Sequence, residues 1–342
     1  MKLAPLLWPL SLPYAAAAHL RARAYELGFF RQRRLEGKVI SVGNLTVGGT
    51  GKTPMVLWIA QRLLAEHKRV GILTRGYKGR VGGRTGYGDG AGVANGSASD
   101  EVQLLGARLD PQVAFGVGRD RYVSGQRLTK EGVQWFVLDD GFQHLRLARH
   151  VDIVLVDATN PFGGGKVLPA GRLREPRSAL CRADLVVITR SEHAPAVEVI
   201  IRRYSTAPIF YARPQLESVR LWRGEHRGEV DPSAKSRKLF AFCGIGNPAA
   251  FLNNLREWGF QVAGQKFFRD HHRYSQQDAA EIERAARAAS CEGLICTEKD
   301  IFNLGDAQLR EFELLYCVIS MHVERGDEFW TAIMDKAQRQ KV

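Results

Sequence analysis

Gly43-Asn44-Leu45-Thr46-Val47-Gly48-Gly49-Thr50-Gly51-Lys52-Thr53 carries the residue types that hold a polyphosphate. Gly48, Gly49 and Gly51 leave backbone N–H groups able to close around phosphate oxygens, because no Cβ obstructs the dihedrals such a turn needs. Thr46, Val47 and Thr50 fill out the loop. Lys52 is spaced to reach the β- and γ-phosphates, and the Thr53 hydroxyl to bind Mg²⁺. The pattern G-x-x-x-x-G-K-S/T usually starts on glycine where this chain has Thr46, and the surrounding glycines compensate. A loop of this kind follows a strand and opens a helix, whose N-terminus adds a favourable dipole. Residues 39–42 are an apolar β-branched run and residues 53–67 are amphipathic, so both elements are expected.

A phosphate loop also calls for a metal-orienting carboxylate at the end of another strand. Trp135-Phe136-Val137-Leu138 followed by Asp139-Asp140 supplies it. Adjacent carboxylates repel unless a cation lies between them, so Asp139 and Asp140 make more sense around Mg²⁺ than alone. Residues 153–157 have the same shape without a second acid, and Asp157 is read as structural. Two other signals are weak. Gly244-Ile245-Gly246-Asn247-Pro248-Ala249 fits a dinucleotide fingerprint, but Pro248 at a helix start explains it equally well. Thr297-Glu298-Lys299-Asp300 superficially matches a guanine-reading motif, yet its lysine is directly beside its aspartate and the spacing is wrong.

These groups must be positioned by elements. Apolar runs at 39–42, 70–73, 113–117, 135–138, 153–156, 185–189 and 208–211 alternate with amphipathic segments at 53–67, 100–109, 120–131 and 196–204. Short continuous runs of this kind fit strands buried on both faces of a parallel sheet. Residues 76–96 are too rich in glycine for a regular element and read as a mobile loop or a surface insertion. Residues 213–237 turn polar and read as a linker, with room for a short hairpin. A second block follows: strands at 238–242, 262–268, 294–297 and 314–319, and helices at 249–258 and 275–289. The expectation is an α/β, P-loop NTPase-like, doubly wound and mostly parallel sheet, with a second, smaller α/β domain. The boundaries are 1–34 for an amino-terminal amphipathic segment, 35–212 for the core, 213–237 for the linker and 238–342 for the smaller domain.

Composition limits the class. The 342 residues are 45% hydrophobic and 25% charged, which excludes a polytopic membrane protein, a collagen-like chain and a coiled-coil rod. A net charge of +13 favours anionic partners. Cys181, Cys243, Cys291, Cys296 and Cys317 are odd in number and have no metal-like spacing, so reduced thiols are expected.

The amino-terminus stands apart. Residues 3–20 contain no Lys, Arg, Asp or Glu, but Pro5, Pro9 and Pro13 would break a spanning helix. Lys2, the apolar stretch and Ala15-Ala16-Ala17 mimic a secretory signal, which a need for cytosolic nucleotide argues against. A helix is expected after Pro13. Arg21, Arg23, Arg31, Arg33 and Arg34, interleaved with Tyr14, Leu20, Tyr25, Leu27, Phe29 and Phe30, suit a helix lying in a membrane interface. Each basic residue near an anionic surface contributes about 1 kcal/mol. The plainer alternative is a helix packed on the protein's own core.

Beyond the phosphate loop, several segments in order resemble one family, the tetraacyldisaccharide 4′-kinases of lipid A biosynthesis. They are Ser41-Val42-Gly43-Asn44 through Lys52-Thr53-Pro54, Thr74-Arg75-Gly76-Tyr77, Asp100-Glu101, and Asp139-Asp140-Gly141-Phe142-Gln143-His144. Leu168-Pro169-Ala170-Gly171-Arg172-Leu173-Arg174-Glu175-Pro176, Asp270-His271 and Thr297-Glu298-Lys299-Asp300 continue the series. The resemblance implies transfer of the ATP γ-phosphate to the 4′-hydroxyl of a tetraacylated glucosamine disaccharide 1-phosphate. It also implies Mg²⁺, the cytoplasmic face of the inner membrane, no nucleic acid and no obligate protein partner. It makes Asp100 the base and His271 its partner, with Glu101 assisting the metal shell. Arg119 and Arg172 become candidates for the substrate 1-phosphate, because guanidinium matches phosphate geometry. Asn44, Arg75, Gln143 and His144 are placed on the acceptor as well. His271 comes from the second block, so catalysis would require the two domains to close. Where the family commonly has a tyrosine after the histidine, this chain has His272, and position selects His271. The alternative class is a membrane-associated P-loop switch or partition-type ATPase, which would need neither Asp100, His271 nor residues 168–176. A nucleic-acid-binding ATPase would explain the charge but lacks a reading module.

Overall fold

The computed structural model describes residues 4–76, 99–224, 229–305 and 307–339. Past Gly76, the glycine-rich stretch lies outside the described residues. In chain order the strands are β1 (Lys38–Asn44), β2 (Val70–Thr74), β3 (Ala114–Val117), β4 (Trp135–Asp139), β5 (Val151–Asp157) and β6 (Leu185–Thr189). They continue with β7 (Ile209–Trp222), β8 (Lys238–Cys243), β9 (Gln261–Phe267), β10 (Gly293–Thr297) and β11 (Leu314–Val323). The helices are α1 (Ala4–Glu26), α2 (Lys52–Ala65), α3 (Asp100–Arg108), α4 (Arg121–Lys130) and α5 (Pro195–Arg202). After them come α6 (Pro248–Glu257), α7 (Gln276–Ala288), α8 (Glu298–Ile301) and α9 (Gly326–Gln338).

All eleven strands form one sheet in the order β3-β2-β4-β1-β5-β6-β7-β11-β10-β8-β9. Seven parallel strands end at β7 and four parallel strands begin at β11, and the β7–β11 pair between them is antiparallel. Helices cover both faces, as parallel strands require of their crossovers. Met55, Ile59 and Leu63 of α2 pack with Ile40, Val137 and Ile153 on one face. Ile201 of α5 and Phe142 pack with Val154 and Val186 on the other. In the second half α7 covers Phe240, Phe242 and Leu294, and α6 covers Leu239, Ala241 and Ile295.

Three expectations are corrected. Residues 213–222 are not linker but the far half of β7, with Arg213 opposite His322 and Trp222 opposite Leu314. Burial in β7 alternates past Ala212, so its outward positions carry the charges that made it look like a connection. The last helix also leaves the expected carboxyl-terminal block: α9 returns onto α2, where Phe329 packs on Trp58 at 5.5 Å and the Trp330 indole donates to Glu66 at 2.6 Å.

The third correction is α1, which runs through Pro9 and Pro13 instead of starting after them. Pro5 lies in the first turn, where no intrahelical N–H bond is lost. Pro9 and Pro13 follow at intervals of four, so the lost bonds align on one exposed face where water can reach the freed carbonyls. The helix is held by a narrow stripe. Ser11 donates to the Val167 carbonyl at 2.9 Å and accepts from Ala170 N–H at 3.1 Å, and Ala22 is buried. Its other sides expose Trp8, Leu10, Leu12 and Leu20, and the turn after it exposes Leu27, Phe30 and Phe29, the last at 79%. Among the described residues no helix is long and apolar enough to cross a membrane. All five thiols are free.

Candidate active site

The phosphate loop joins β1 to α2. Gly48 has φ 127° and Gly51 φ 88°, backbone conformations that a side chain would strain. A Cβ on Gly48 would also stand 2.5 Å from an Arg172 guanidinium nitrogen. Asn44 braces the loop from beneath: at 0% exposure it donates to Thr50 Oγ1 at 2.9 Å and to Thr46 Oγ1 at 3.4 Å. Expected on the acceptor, Asn44 lies enclosed beneath the loop and outside the cavity lining. Val47 exchanges backbone and side-chain bonds with Arg172, and Thr189 donates to the Thr50 carbonyl at 3.0 Å. Lys52 Nζ lies 3.5 Å from both Asn44 Oδ1 and Asp140 Oδ1.

The loop forms one wall of a cavity of about 1050 Å³. Thr53, Asp139 and Asp140 line it beside Lys52, and Glu101, His271 and Lys299 line it as well. Tyr14, Ala17 and Arg21 of α1 close another side. Asp139, 3% exposed at the end of β4, accepts from Thr74 Oγ1 at 3.3 Å, and its Oδ1 has no hydrogen-bond partner. Burial, with Glu101 and Asp140 nearby, pushes its carboxyl up to about 7. An orphaned buried oxygen among like charges is what a divalent cation would satisfy. Thr53 and Glu101 on the same cavity complete a donor set of hard oxygens suited to Mg²⁺. Among the described residues no three His, Cys, Asp or Glu side chains form a metal cage, and Mg²⁺ bound with phosphate needs none. Asp140 is engaged differently: Arg174 Nη1 reaches its two oxygens at 2.8 and 2.7 Å. Although burial opposes it, the Lys52 and Arg174 charges hold Asp140 below the usual carboxylate range.

Asp100 opens α3 and His271 lies between β9 and α7, 171 positions apart in the chain. His271 Nδ1 sits 2.9 Å from both Asp100 oxygens, and Asn303 donates to Asp100 Oδ2 at 3.0 Å. Burial works to raise Asp100, but the His271 hydrogen bond and the Lys299 charge prevail and hold it at about 2. For His271 burial works downward, and the Asp100 hydrogen bond prevails to raise it. The imidazole is the member that lines the cavity; Asp100, at 5% exposure, stands behind it. The pair, expected to await closure of the halves, is already made in this structure. His272 turns away, stacked on Phe268 at 4.6 Å and bonded to Asp278 at 3.1 Å.

Arg75, Gln143 and His144 line the same cavity. His144 is driven down to about 4 by burial and by Arg121 and Arg149, so it is a neutral hydrogen-bonding group. Two arginines are displaced from expectation. Arg119 is exposed and outside the lining, whereas Arg121 lies in it at 6% exposure. Arg172 faces a smaller cavity of about 390 Å³ on the far side of the loop, whereas Arg174 faces the main one. For Arg121 a signal was present: Asp120 caps α4 through Tyr122 N–H at 3.1 Å, which fixes Arg121 at the first helical position. Lys299 was not anticipated as part of the site.

Residues 3–338 match the family model described as tetraacyldisaccharide-1-P 4′-kinase. A tetraacyldisaccharide 4′-kinase of Geobacter metallireducens is 43% identical over 337 residues, covering 96% of each chain. One of Desulfotalea psychrophila is 37% identical, covering 87% of each. Among solved structures, LpxK from Aquifex aeolicus in complex with ATP matches with a TM-score of 0.74 and 29% identity, covering 98% of this chain and 99% of that one. The sheet order, the phosphate loop and these matches over the whole length agree: the chain belongs to the tetraacyldisaccharide-1-phosphate 4′-kinase family.

Proposed function

We propose a residue-level account of the reaction that this membership brings. The chain is an ATP-dependent kinase that transfers the γ-phosphate to the 4′-hydroxyl of a tetraacyl glucosamine disaccharide 1-phosphate. One observation carries the account: the phosphate loop and the histidine of an acid–base pair line a single cavity. A P-loop switch has no use for the pair.

Lys52 and the loop N–H groups hold the polyphosphate, and Asp140, anchored by Arg174, orients Lys52. Thr53, Glu101 and Asp139 would hold Mg²⁺, which when bound neutralises charge on the β- and γ-phosphates. A sugar hydroxyl is a poor nucleophile and needs a proton acceptor within reach. In this reading the hydroxyl proton passes to the Asp100–His271 pair through His271, as the new O–P bond forms and ADP leaves. Arg121, Arg75, Gln143 and His144 are positioned to bind the polar part of the acceptor. The acyl chains belong to the side where α1 bounds the cavity and exposes apolar side chains. In this account the enzyme works on an anionic surface, at the cytoplasmic face of the inner membrane, a reading supported by the exposed apolar side chains of α1 and the turn after it.

The test is incubation with γ-labelled ATP and the lipid disaccharide 1-phosphate in detergent. Label should enter the lipid, and Lys52→Ala should abolish the transfer. Release of label as free phosphate alone would return the chain to the switch class.

A further inference from the structure

The turn from β8 into α6 carries Gly244-Ile245-Gly246-Asn247-Pro248-Ala249, a glycine pattern that neither the phosphate loop nor the acid–base pair explains. Its two glycines serve two close approaches. A Cβ on Gly244 would stand 3.0 Å from His272 Cβ and 3.1 Å from the Arg269 carbonyl oxygen, in the turn that carries His271. A Cβ on Gly246 would stand 2.4 Å from the Gly49 nitrogen and 3.1 Å from both the Cα and the carbonyl carbon of Gly48, inside the phosphate loop. Gly246 has no left-handed φ, so its own backbone would accept a side chain and only the phosphate loop excludes one. Backbone from the second half of the molecule therefore rests directly on the loop.

Asn247 fastens the turn beside that contact. Its Oδ1 accepts from Ala250 N–H at 3.1 Å and caps α6, with Pro248 at the start of the helix. Its Nδ2 donates across the halves to Asp157 Oδ2 at 3.1 Å. Asp157 is buried at the end of β5, where Thr159 N–H and Oγ1 donate to its other oxygen at 3.0 and 2.7 Å and Arg190 pairs with Oδ2. The near end of the turn is tied to the acid–base pair. Gly244 accepts the His271 N–H at 2.9 Å and donates its own N–H to buried Asp300 at 2.7 Å.

We propose that Gly246 and Asn247 are positioning residues for phosphoryl transfer. A single turn of backbone runs from the phosphate loop to His271, so its seat on the loop sets the distance between the γ-phosphate and the proton acceptor. This role rests on the acid–base reading above. The loop is braced within its own half by Asn44 and Thr189, so lifting the turn moves His271 and leaves the nucleotide in place. A Cβ on Gly246 would have to retreat from 2.4 Å to ordinary contact at 3.4 Å. A misplacement of about 1 Å can cost about a hundredfold in rate.

Steady-state kinetics and equilibrium binding of a fluorescent ATP analogue, both on the full-length protein, test this. Gly246→Ala should lower kcat about a hundredfold, with the analogue's dissociation constant within about threefold of wild type. In a His271→Ala background the same change should cost less than about threefold further, because both act through one group. Asn247→Asp keeps the cap on α6 but sets a second carboxylate against Asp157. It should lower kcat about tenfold, the order of one lost hydrogen bond, and adding Asp157→Asn should recover most of that loss. This rescue decides the question alone if Gly246→Ala does not fold. Gly246→Ala within about twofold of wild-type kcat overturns the proposal, as does a loss confined to affinity for the analogue. A loss that persists in full in the His271→Ala background, or an Asn247→Asp loss that Asp157→Asn does not recover, marks a merely structural turn and overturns it too. If His271→Ala is impaired while Gly246→Ala is normal, only the seat on the loop fails; if His271→Ala is fully active, the acid–base reading fails as well.

Discussion

Asp100 and His271 are joined by hydrogen bonds at 2.9 Å, and each shifts the other toward its charged form. If they take the hydroxyl proton as one unit, Asp100→Ala with His271→Ala should cost little more kcat than the worse single change. Losses that add fully in log kcat would contradict a unit. His272→Ala, which touches Phe268 and Asp278 instead, should leave kcat within about threefold. The pair also has a pH signature in stability. Asp100 is depressed from 3.8, so its contribution is present above that value and is lost as the pH falls through about 2. His271 is raised from 6.5, so its contribution is complete below that value and is lost as the pH rises through the elevated one. The difference in urea midpoint between wild type and His271→Asn should therefore be largest between 3.8 and 6.5 and shrink on the alkaline side. An equal difference across the whole range would show that the imidazole is held by packing alone. Lys52, Thr53 and Asp139 could be named from the sequence because their motif spacing is local, whereas Asp100 and His271, 171 positions apart, were reached only through the family resemblance. Arg121 in place of Arg119 was signalled only by the Asp120 cap, and Arg174 in place of Arg172 by nothing local, because a shift of two residues is decided by how each turn leaves its strand. Lys299 was hidden because its partners come from α3 and the β9–α7 turn.

At the scale of elements, α1 is the part whose sequence and structure differ most instructively. Three prolines in one apolar run read as repeated breaks, yet their spacing of four places the lost hydrogen bonds on a single exposed face and the helix continues. Strand runs from β1 to β6 were legible as short apolar stretches because both faces are buried. The far half of β7 was not, since a half-solvated strand alternates and its charged positions resemble a loop. The exposed Trp8, Leu10, Leu12, Leu20, Phe29 and Phe30, with the arginines among them, predict binding to anionic vesicles. Salt should weaken the basic share of that binding, screened over about 8–10 Å, and leave an apolar remainder. Replacing Phe29, Phe30 and Leu27 by serine should reduce vesicle cosedimentation and lipid phosphorylation while leaving ATP binding within about twofold. Unchanged cosedimentation would move the membrane contact to another surface.

For the whole molecule, one sheet joins a seven-strand parallel part to a four-strand parallel part through an antiparallel seam, and α9 returns across the junction. That topology brings His271, backed by Asp100, and residues 47–53 of the phosphate loop to one cavity. The alternation of strands and helices made both parallel parts readable, whereas the seam and the return of α9 depend on contacts between distant stretches that no local pattern encodes. The central claim is that this cavity moves phosphate to the 4′-oxygen of a lipid disaccharide. The most direct measurement is ³¹P–¹H correlation NMR of the product formed from ATP and the disaccharide 1-phosphate. The account predicts one new phosphate monoester whose phosphorus couples to H-4 of the distal glucosamine, absent with His271→Ala. Phosphorus coupled to another position of the sugar, or appearing only as inorganic phosphate, would contradict it.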